Sequence, residues 1–524
     1  MPNTGDTIIG IDAGTSVIKA VAFSLSGNEI AVSAVRNSYA TRADGSATQS
    51  MDQTWADCCA ALRGLSAKVD RLAERVAAIG VTGQGDGTWL VGAEQRPVTD
   101  AWLWLDARAG PTVNALTQSA ADAGRFAATG TGLNTCQQGT QMAHMAVHFP
   151  DFLDQAQAVL HCKDWLYLKL TGIVATDPSE ASFTFGDFRS RAYSDTVVEA
   201  LGLRRYTHLL PDILDGTEAT HPLNEAAATA TGLLPGTPVS LGYVDMVMTA
   251  LGAGVHTGKT GAACSIIGST GVHLRSVRAE DVHLNEDRTG YVICLPMPGL
   301  VTQVQTNMAA TLNVDWALDL AADLLGQFGT APDRAALVGQ IDTWLQTSPP
   351  GRVVFHPYIS DAGERGPFVD DRARASVIGL NTSHRFADLI RGVFDGLGMA
   401  ARDCYHAMGG LPAELRIAGG AAQSPLVRQV FAGALASPVR VSTRGEAGAA
   451  GCAMMAAVAI GAYPDMEACI KEWVEPFLGP SEPPEPHLRV TYDALYQTYR
   501  LSRDLLPPVW AEMATNRAAF EVLT

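Results

Sequence analysis

The chain has 524 residues, more than one hydrophobic core ordinarily serves, so two large domains are expected. Apolar residues make up 47% of the sequence and charged residues 17%, which is typical of folded globular protein and not of disorder. Asp and Glu number 54 against 37 Lys and Arg, a net charge of −17 that disfavours nucleic-acid and anionic-membrane partners.

The opening of the chain predicts a strand, a turn, two more strands, a helix and a further strand. Apolar and β-branched runs mark the strands, Gly27-Asn28 is a hairpin signal, and apolar residues at helical spacing mark the helix. The predicted strands are Thr7–Ile11, Val17–Leu25, Glu29–Ser33 and Val76–Val81, and the predicted helix is Gln53–Arg75. This mixture indicates an α/β fold.

A second copy of the opening hairpin occurs midway along the chain. Gly261–Ile267 is an apolar strand, Gly268–Gly271 is a Gly-Ser-Thr-Gly turn, and Val272–Val277 continues as a strand. Duplication of one supersecondary unit predicts two similar domains that face each other. We place the first domain at residues 1–254 and the second at residues 255–524.

The second half of the chain predicts mainly helices around one strand. Ser424-Pro425 is an N-cap followed by proline, which predicts a helix start. The predicted helices are Ala387–Met408, Leu426–Leu435, Glu446–Ile460 and a final one around Tyr492–Leu505, and the strand is Glu414–Ile417.

Cysteine usage and apolar stretches predict the compartment. Nine scattered cysteines include no Cys-x-x-Cys, which favours reduced thiols in a cytosolic protein. The N-terminus lacks a signal-peptide pattern, and the longest apolar stretch, near Gly448–Gly461, is too short to span a bilayer. These features predict a soluble cytoplasmic protein.

The first turn, Gly14-Thr15-Ser16, has the residue types of a phosphate-binding loop. Small residues let several backbone N–H groups surround an anion, and the two hydroxyls add donors. Asp12, at the end of the preceding strand, would lie beside those phosphates, where a carboxylate suits Mg²⁺. Lys19 shares a strand face with Val17 and could reach a transferring phosphate.

The second turn supplies a further set of donors, so that two facing hairpins could hold one triphosphate. Its predicted phosphate-binding residues are Gly268, Ser269 and Thr270. A third Gly-rich segment leaves a strand and opens a helix, where small residues would let a flat adenosine ring lie against the backbone. Its predicted adenosine-binding residues are Gly419, Gly420, Ala421 and Ser424.

Read together, these segments resemble the FGGY family of carbohydrate kinases over nearly the whole chain. Ala375–Leu380 followed after a gap by Asp388-Leu389 is similar to the family's second signature, although Gly392 stands where the family prefers Ala or Ser. Pro357-Tyr358 and Glu364–Pro367 resemble its Pro-Tyr…Glu-Arg-x-Pro segment. The resemblance implies two actin-like (ribonuclease-H-like) α/β domains with a catalytic cleft between them, with ATP and Mg²⁺ required.

The same resemblance implies roles for individual residues. Asp245, after Gly242-Tyr243-Val244, takes the place of the family's general base, and with Asp12 it would face Mg²⁺. The loop Thr82–Gly87 would grip sugar hydroxyls. The substrate-binding residues implied are Gln84, Gly85, Asp86, Trp104 and Asp245, with Trp104 part of a Trp-x-Asp-x-Arg segment that ends at Arg108. Trp102 is expected to be plain core.

Departures from the family pattern concern the substrate. Gln137–Ala146 lacks the Lys and the Trp of the first signature, and Gly85-Asp86 replaces both the Arg-Glu of glycerol-specific members and the Met-His of xylulose-specific members. The loop looks most similar to the erythritol and L-xylulose kinase branch. The resemblance therefore implies phosphorylation of a primary hydroxyl on a small open-chain polyol or ketose, with erythritol favoured and L- or D-xylulose as the alternative.

Two readings from other classes stay open at this level. An actin-like ATPase would need the phosphate turns but not the Gln84–Gly87 loop. A non-catalytic sugar-binding regulator would be expected to carry an added DNA-binding segment. The expected partner is a small molecule, without nucleic acid or membrane, and the resemblance is compatible with a homodimer.

Overall fold

The computed structural model describes residues 5–257, 262–330 and 332–521. Two six-stranded sheets divide them into a first lobe, residues 5–252, and a second lobe, residues 262–521. The first sheet contains β1 (Thr7–Ala13), β2 (Val17–Ser24), β3 (Glu29–Arg36), β4 (Val76–Gly83), β5 (His221–Pro222) and β6 (Pro238–Leu241), in the order β5-β6-β4-β1-β2-β3. The second contains β7 (Ala262–Ile267), β8 (Gly271–Arg278), β9 (Tyr291–Cys294), β10 (Leu300–Asn307), β11 (Glu414–Ala418) and β12 (Val439–Val441), in the order β9-β10-β8-β7-β11-β12.

The two sheets repeat one pairing pattern. β1 pairs antiparallel with β2 and parallel with β4, and β7 pairs antiparallel with β8 and parallel with β11. The duplication predicted from the hairpins is therefore confirmed as a duplication of the sheet. Gly261, the predicted first residue of β7, lies outside the described residues. The exact boundary at residues 254 and 255 stays a prediction.

Helices cover both sheets and connect their strands. They are α1 (Met51–Ser66), α2 (Leu72–Arg75), α3 (Gly110–Thr117), α4 (Asp122–Thr129), α5 (Gln138–His148), α6 (Pro150–Gln155), α7 (Cys162–Thr171), α8 (Pro178–Phe185), α9 (Asp195–Ala200), α10 (Glu225–Thr231), α11 (Asp245–Gly252), α12 (Thr311–Gln327), α13 (Arg334–Gly339), α14 (Ile341–Thr347), α15 (Phe386–Ala407), α16 (Pro425–Ala434), α17 (Ala447–Ala459), α18 (Met466–Trp473), α19 (Pro486–Asp504) and α20 (Leu506–Glu521). Within the described residues, no helix is long and apolar enough to cross a membrane.

Short strands form small sheets outside the two large ones. They are Ala40–Thr41, Ala47–Gln49, Trp89–Val91, Ala101–Trp102, Ala158–Leu160, Ala175–Thr176, Gly186–Asp187, Ala192–Tyr193, Asp212–Ile213, Val354–His356 and Ser376–Ile378. The family-like segment Ala375–Asp395 runs from the last of these into α15. There Asp388 accepts a hydrogen bond from the Arg385 backbone N–H at 2.8 Å, so it caps the helix.

A shared core joins the two lobes. Buried side chains of α11 and α17 form one apolar cluster with residues of both sheets, such as Ile8 and Leu274. The Cys452 thiol of α17 reaches the Ile11 carbonyl at 3.5 Å, so this helix of the second half packs directly on the first sheet. The contact is close, because a Cβ on Gly10 of β1 would lie 2.1 Å from the Ala449 carbonyl. All nine cysteines lie among the described residues as buried free thiols.

Two predicted helices differ from the structure. The predicted helix Gln53–Arg75 is interrupted, because α1 ends at Ser66 and Arg71 adopts a left-handed conformation with φ of 51° before α2. The last predicted helix begins six residues earlier than Tyr492, at Pro486, where proline fits the first helical position. A further helix, α20, follows it.

Candidate active site

Three chain segments meet at one edge of the first sheet. β1, β4 and β6 run parallel, with Ala13 beside Gly83 and Leu241 beside Val81, so their carboxyl ends lie together. Ligands of such sheets bind at this edge. The edge therefore carries Asp12 with the first turn, the Gln84–Gly87 loop, and Asp245 as the first residue of α11.

Asp12 and Asp245 are half-buried carboxylates that influence each other. Burial raises the pKa of Asp12 to about 6, against the favourable charge of Lys19. Burial, and next the charge of Asp12, raises the pKa of Asp245 to about 8. Lys19 pairs with Glu446 of the second half at 2.7 Å. Lys19, the cation that lowers the pKa of Asp12, is thus already paired with a carboxylate.

Two carboxyl groups with raised pKa values fit a site that binds a cation such as Mg²⁺. Within the described residues no cluster of three or more His, Cys, Asp or Glu side chains could hold a metal by itself. Mg²⁺ ordinarily takes one or two protein carboxylates and completes its shell with water and substrate phosphates. Asp12 and Asp245 match that donor set.

Side chains connect the first turn to the loop Gln84–Gly87, which we call the sugar loop after its predicted role. The Thr15 hydroxyl donates to Gln84 Oε1 at 2.8 Å and accepts from Trp104 Nε1 at 2.8 Å. Gln84 Nε2 donates to Gln49 Oε1 at 2.7 Å. Both ends of the Gln84 amide are thus engaged within the protein, as is the Thr15 hydroxyl. One chain of hydrogen bonds therefore joins the predicted phosphate-binding turn to the predicted substrate-binding residues Gln84 and Trp104.

The sugar loop is held in a fixed conformation. A Cβ on Gly85 would lie 2.3 Å from Val244 Cγ2, next to Asp245, so only glycine fits there. Asp86 adopts a left-handed φ of 56°, which is uncommon for a residue with a side chain. Its Oδ2 accepts from Cys136 Sγ at 3.3 Å, while its Oδ1 is buried without a partner. Burial raises the pKa of Asp86.

The remaining Trp-x-Asp-x-Arg residues have structural partners. Arg108 pairs with buried Asp106 at 2.6 Å, and its guanidinium lies 3.4 Å from the centroid of the Trp102 ring. Trp102 is 1% exposed, which confirms that it is core. Of this segment, Trp104 alone lines the cavity described below.

The second lobe places its Gly-rich segments at the corresponding edge. The backbone N–H groups of Ala310 and Thr311 donate to carbonyls of Ser269 and Gly268 at 2.7 and 2.9 Å, which anchors the turn to the start of α12. The Ser269 and Thr270 side chains are exposed.

The Gly419 segment lies against the end of β7. β7 and β11 are parallel neighbours, and a Cβ on Gly419, whose φ is 95°, would lie 2.3 Å from the Ile267 carbonyl. The Ser424 hydroxyl donates to Asp342 at 2.5 Å and caps α16, so it serves the helix start. The Ala421 side chain lies outside the described residues.

One cavity of about 360 Å³ brings residues from both lobes together. The predicted site residues that line it are Thr15, Gln84, Gly85, Asp86, Trp104, Asp245 and Thr270. The predicted site residues that do not line it are Asp12, Gly14, Ser16, Lys19, Gly268, Ser269, Ser424 and the Gly419 segment. A larger cavity of about 970 Å³ is lined by His256, Arg278, Glu467 and others and contains none of the predicted residues, so size does not identify the site.

The second lobe contributes cavity residues that the sequence did not single out. Tyr291 and Met308 line it, and neither stands in a motif. Arg365 also lines it, and the Glu-Arg-Gly-Pro match could have indicated it. Arg365 is half-buried. Both lobes therefore line the cavity, although all the substrate-binding residues implied by the family resemblance lie in the first domain.

Comparison with known proteins adds an independent line of evidence. Models of the N-terminal and C-terminal domains of the FGGY family of carbohydrate kinases match residues 7–252 and 263–460. The chain is 61% identical to an erythritol kinase of Brucella abortus over 517 residues, which covers 99% of each chain. It is 28% identical to a xylulose kinase of Escherichia coli strain K12, covering 95% of this chain and 99% of that one. The crystal structure of a xyloylose kinase from Brucella ovis superposes on this chain with a TM-score of 0.84. The two chains are 26% identical, and the superposition covers 96% of this chain and 100% of that one.

Proposed function

The chain belongs to the FGGY family of carbohydrate kinases, and from that premise we propose that it transfers the γ-phosphoryl group of ATP to a primary hydroxyl of erythritol. The observation that carries the proposal is the single cavity containing Asp86, Asp245 and Thr270. An acceptor for hydroxyls, a candidate base and a phosphate turn lie within the reach of one small substrate.

Asp245 is the general base in this proposal. It accepts the proton of the attacking hydroxyl while that oxygen forms a bond to the γ-phosphorus and the bond from this phosphorus to the β–γ bridging oxygen breaks, which releases ADP. Because the pKa of Asp245 is raised to about 8, the ionised form that can accept this proton becomes more populated as pH rises from about 7 towards about 8.

The remaining residues bind and orient the two substrates. Gly14, Thr15, Ser16, Gly268, Ser269 and Thr270 surround the phosphates from two sides, with Lys19 close to the first turn. The segment from Gly419 to Ser424 supports the adenosine ring. Asp12 and Asp245 would hold Mg²⁺, which neutralises phosphate charge when bound.

The sugar end is formed by the Gln84–Gly87 loop and Trp104. Asp86 Oδ1 is the acceptor for a substrate hydroxyl, since it is buried and has no protein partner. Gln84 acts by fixing the wall, because both ends of its amide are engaged by Thr15 and Gln49. Asp86 would therefore contact the polyol directly, whereas Gln84 would position the residues around it.

A coupled ADP-release assay over glycerol, erythritol, the pentitols and the ketopentoses tests the substrate assignment. We expect the highest kcat/KM with erythritol. L- or D-xylulose is the second candidate, favoured by the xylulose kinase relatives. A strong preference for glycerol or D-xylulose would contradict the interpretation of Gly85-Asp86.

A further inference from the structure

The sugar loop of the first lobe contacts an edge strand of the second lobe. Tyr291, the first residue of β9, places its hydroxyl 3.4 Å from Asp86 Oδ2 as a donor. Cys136 Sγ lies 3.6 Å from the same hydroxyl, and Asn134 Nδ2 donates to it at 3.4 Å. The Tyr291 ring packs edge-on against Phe183, with centroids 5.7 Å apart. Asp86 is therefore held from both lobes.

Backbone contacts fix this strand in place. Gly132 N–H donates to the Gly290 carbonyl at 2.8 Å, and Val292 N–H donates to the Thr131 hydroxyl at 3.2 Å. These bonds flank Tyr291 on both sides and tie it to the first lobe. The position of its hydroxyl is thus set by structure and not by a free side-chain rotamer.

We propose that Tyr291 is a specificity-determining residue for the polyol, because its hydroxyl donates to Asp86 Oδ2 and leaves the buried, unpartnered Oδ1 to accept a hydrogen bond from a substrate hydroxyl. The inference rests on the proposed function and deepens it. An ionised carboxylate only accepts hydrogen bonds, so it pairs with an alcohol and is mismatched with a carbonyl oxygen, which also only accepts.

The surroundings of Asp86 explain why the Tyr291 hydroxyl matters. Burial raises the pKa of Asp86, whereas the donors Cys136 and Tyr291 and the ring of His161 lower it. Glu180, behind the loop, is a buried carboxyl whose own pKa is well above its usual range through burial. Without the Tyr291 donor, Asp86 would take up a proton more readily, and a neutral acid can donate to a carbonyl.

The test compares two four-carbon substrates, erythritol and the ketose L-erythrulose, in wild type and in Tyr291→Phe. We expect the KM for erythritol to rise about tenfold in the variant, with kcat changed by less than about twofold. The KM for L-erythrulose should rise less or fall, so the polyol-to-ketose ratio of kcat/KM decreases. The KM for ATP should stay unchanged.

Tyr463→Phe is the matched control. Its hydroxyl also bridges distant parts of the chain, to the Leu25 carbonyl at 2.9 Å, but it does not line the cavity. We expect its substrate ratio to equal that of wild type. A Tyr291→Phe ratio equal to that of wild type, with Tyr463→Phe also unchanged, would overturn the inference.

Asp86→Asn provides a second variant, which leaves Tyr291 in place. The amide can donate a hydrogen bond, so the same ratio should decrease. In that background, adding Tyr291→Phe should change the ratio by less than about twofold, because no carboxylate is left to ionise. Additive effects would overturn the inference. Failure of the wild type to phosphorylate erythritol would instead contradict the proposed function.

Discussion

The two phosphate turns occupy equivalent places in equivalent sheets but differ in how they are held. In the first lobe, the Thr15 hydroxyl forms hydrogen bonds with Gln84 and Trp104, so the turn is bonded to predicted substrate-binding residues. In the second lobe, backbone bonds anchor the turn and the hydroxyls of Ser269 and Thr270 are exposed. We therefore propose that one copy of the duplicated unit serves the acceptor substrate and that the other binds phosphates.

The carboxylates strengthen this contrast. Asp12 and Asp245 belong to the first sheet's edge, and their pKa values are raised to about 6 and about 8. The corresponding edge of the second sheet carries glycines and hydroxyls. In the proposed function, the first lobe therefore carries the reacting carboxylates, and the second lobe would hold the adenosine.

The largest expected effect is that of Asp245→Asn. Loss of a general base should lower kcat about 100- to 10,000-fold, while the KM for ATP should change much less, because Asp12 and both turns would still hold the Mg-ATP. Steady-state ADP release with erythritol measures both constants. Full activity in the variant would show that the base lies elsewhere.

Two glycine substitutions separate the lobes. Gly85→Ala would place a Cβ 2.3 Å from Val244 Cγ2 and should raise the KM for erythritol on the order of 100-fold, because a misplaced loop misplaces the substrate. Gly419→Ala would place a Cβ 2.3 Å from the Ile267 carbonyl and should raise the KM for ATP about tenfold.

The control for both is Gly326→Ala. Gly326 lies in α12, and a Cβ there meets nothing within 4 Å. Both KM values should match those of wild type. If Gly85→Ala raised the KM for ATP as much as that for erythritol, the division of work between the lobes would be refuted.

The hydroxyls of the two turns provide a finer comparison. Thr15→Val removes the bonds to Gln84 and Trp104 and should raise the KM for erythritol several-fold, about 3- to 30-fold. Thr270→Val should affect the KM for ATP and leave that for erythritol unchanged. If both variants raised the KM for erythritol equally, the proposed difference between the two turns would be contradicted.

The smallest expected effect is on stability. The folded-state pKa of Asp245, about 8, lies above its usual value of 3.8, so the folded protein binds this proton more tightly than the unfolded chain does. The free energy of unfolding should therefore fall as pH rises from about 4 towards about 8. Asp245→Asn removes this loss.

Thermal unfolding in EDTA tests this stability effect. The Asp245→Asn variant should melt on the order of 2 °C above wild type at pH 8, and the difference should shrink at pH 5. A variant that is less stable than wild type at pH 8 would indicate that burial and the charge of Asp12 do not penalise ionised Asp245 in the folded protein.

The sequence was informative where chemistry is local. Alternating apolar runs and the Gly-Thr-Ser and Gly-Ser-Thr-Gly turns predicted the two hairpins, because strand and turn formation depend on neighbouring residues. The Asp12, Asp86 and Asp245 positions each follow a strand and could be named from the order of segments. Their roles stay predictions, as do the cytoplasmic location and the homodimer.

Long-range contacts were beyond the sequence. Lys19 and Glu446 are 427 positions apart, and Tyr291 and Asp86 are 205 apart, so no local pattern links them. Positive φ at Asp86 also gave no signal, because aspartate occurs in many conformations. The break between α1 and α2 was missed for a related reason, since the helical spacing of apolar residues continues through it.

The most direct test of the central claim is phosphorus NMR of a reaction containing the enzyme, Mg-ATP and erythritol. The account predicts one phosphomonoester on a primary carbon of erythritol, formed in equal amount with ADP and absent without the polyol. ADP formation that proceeds equally without polyol, with inorganic phosphate as the product, would contradict it and favour an actin-like ATPase.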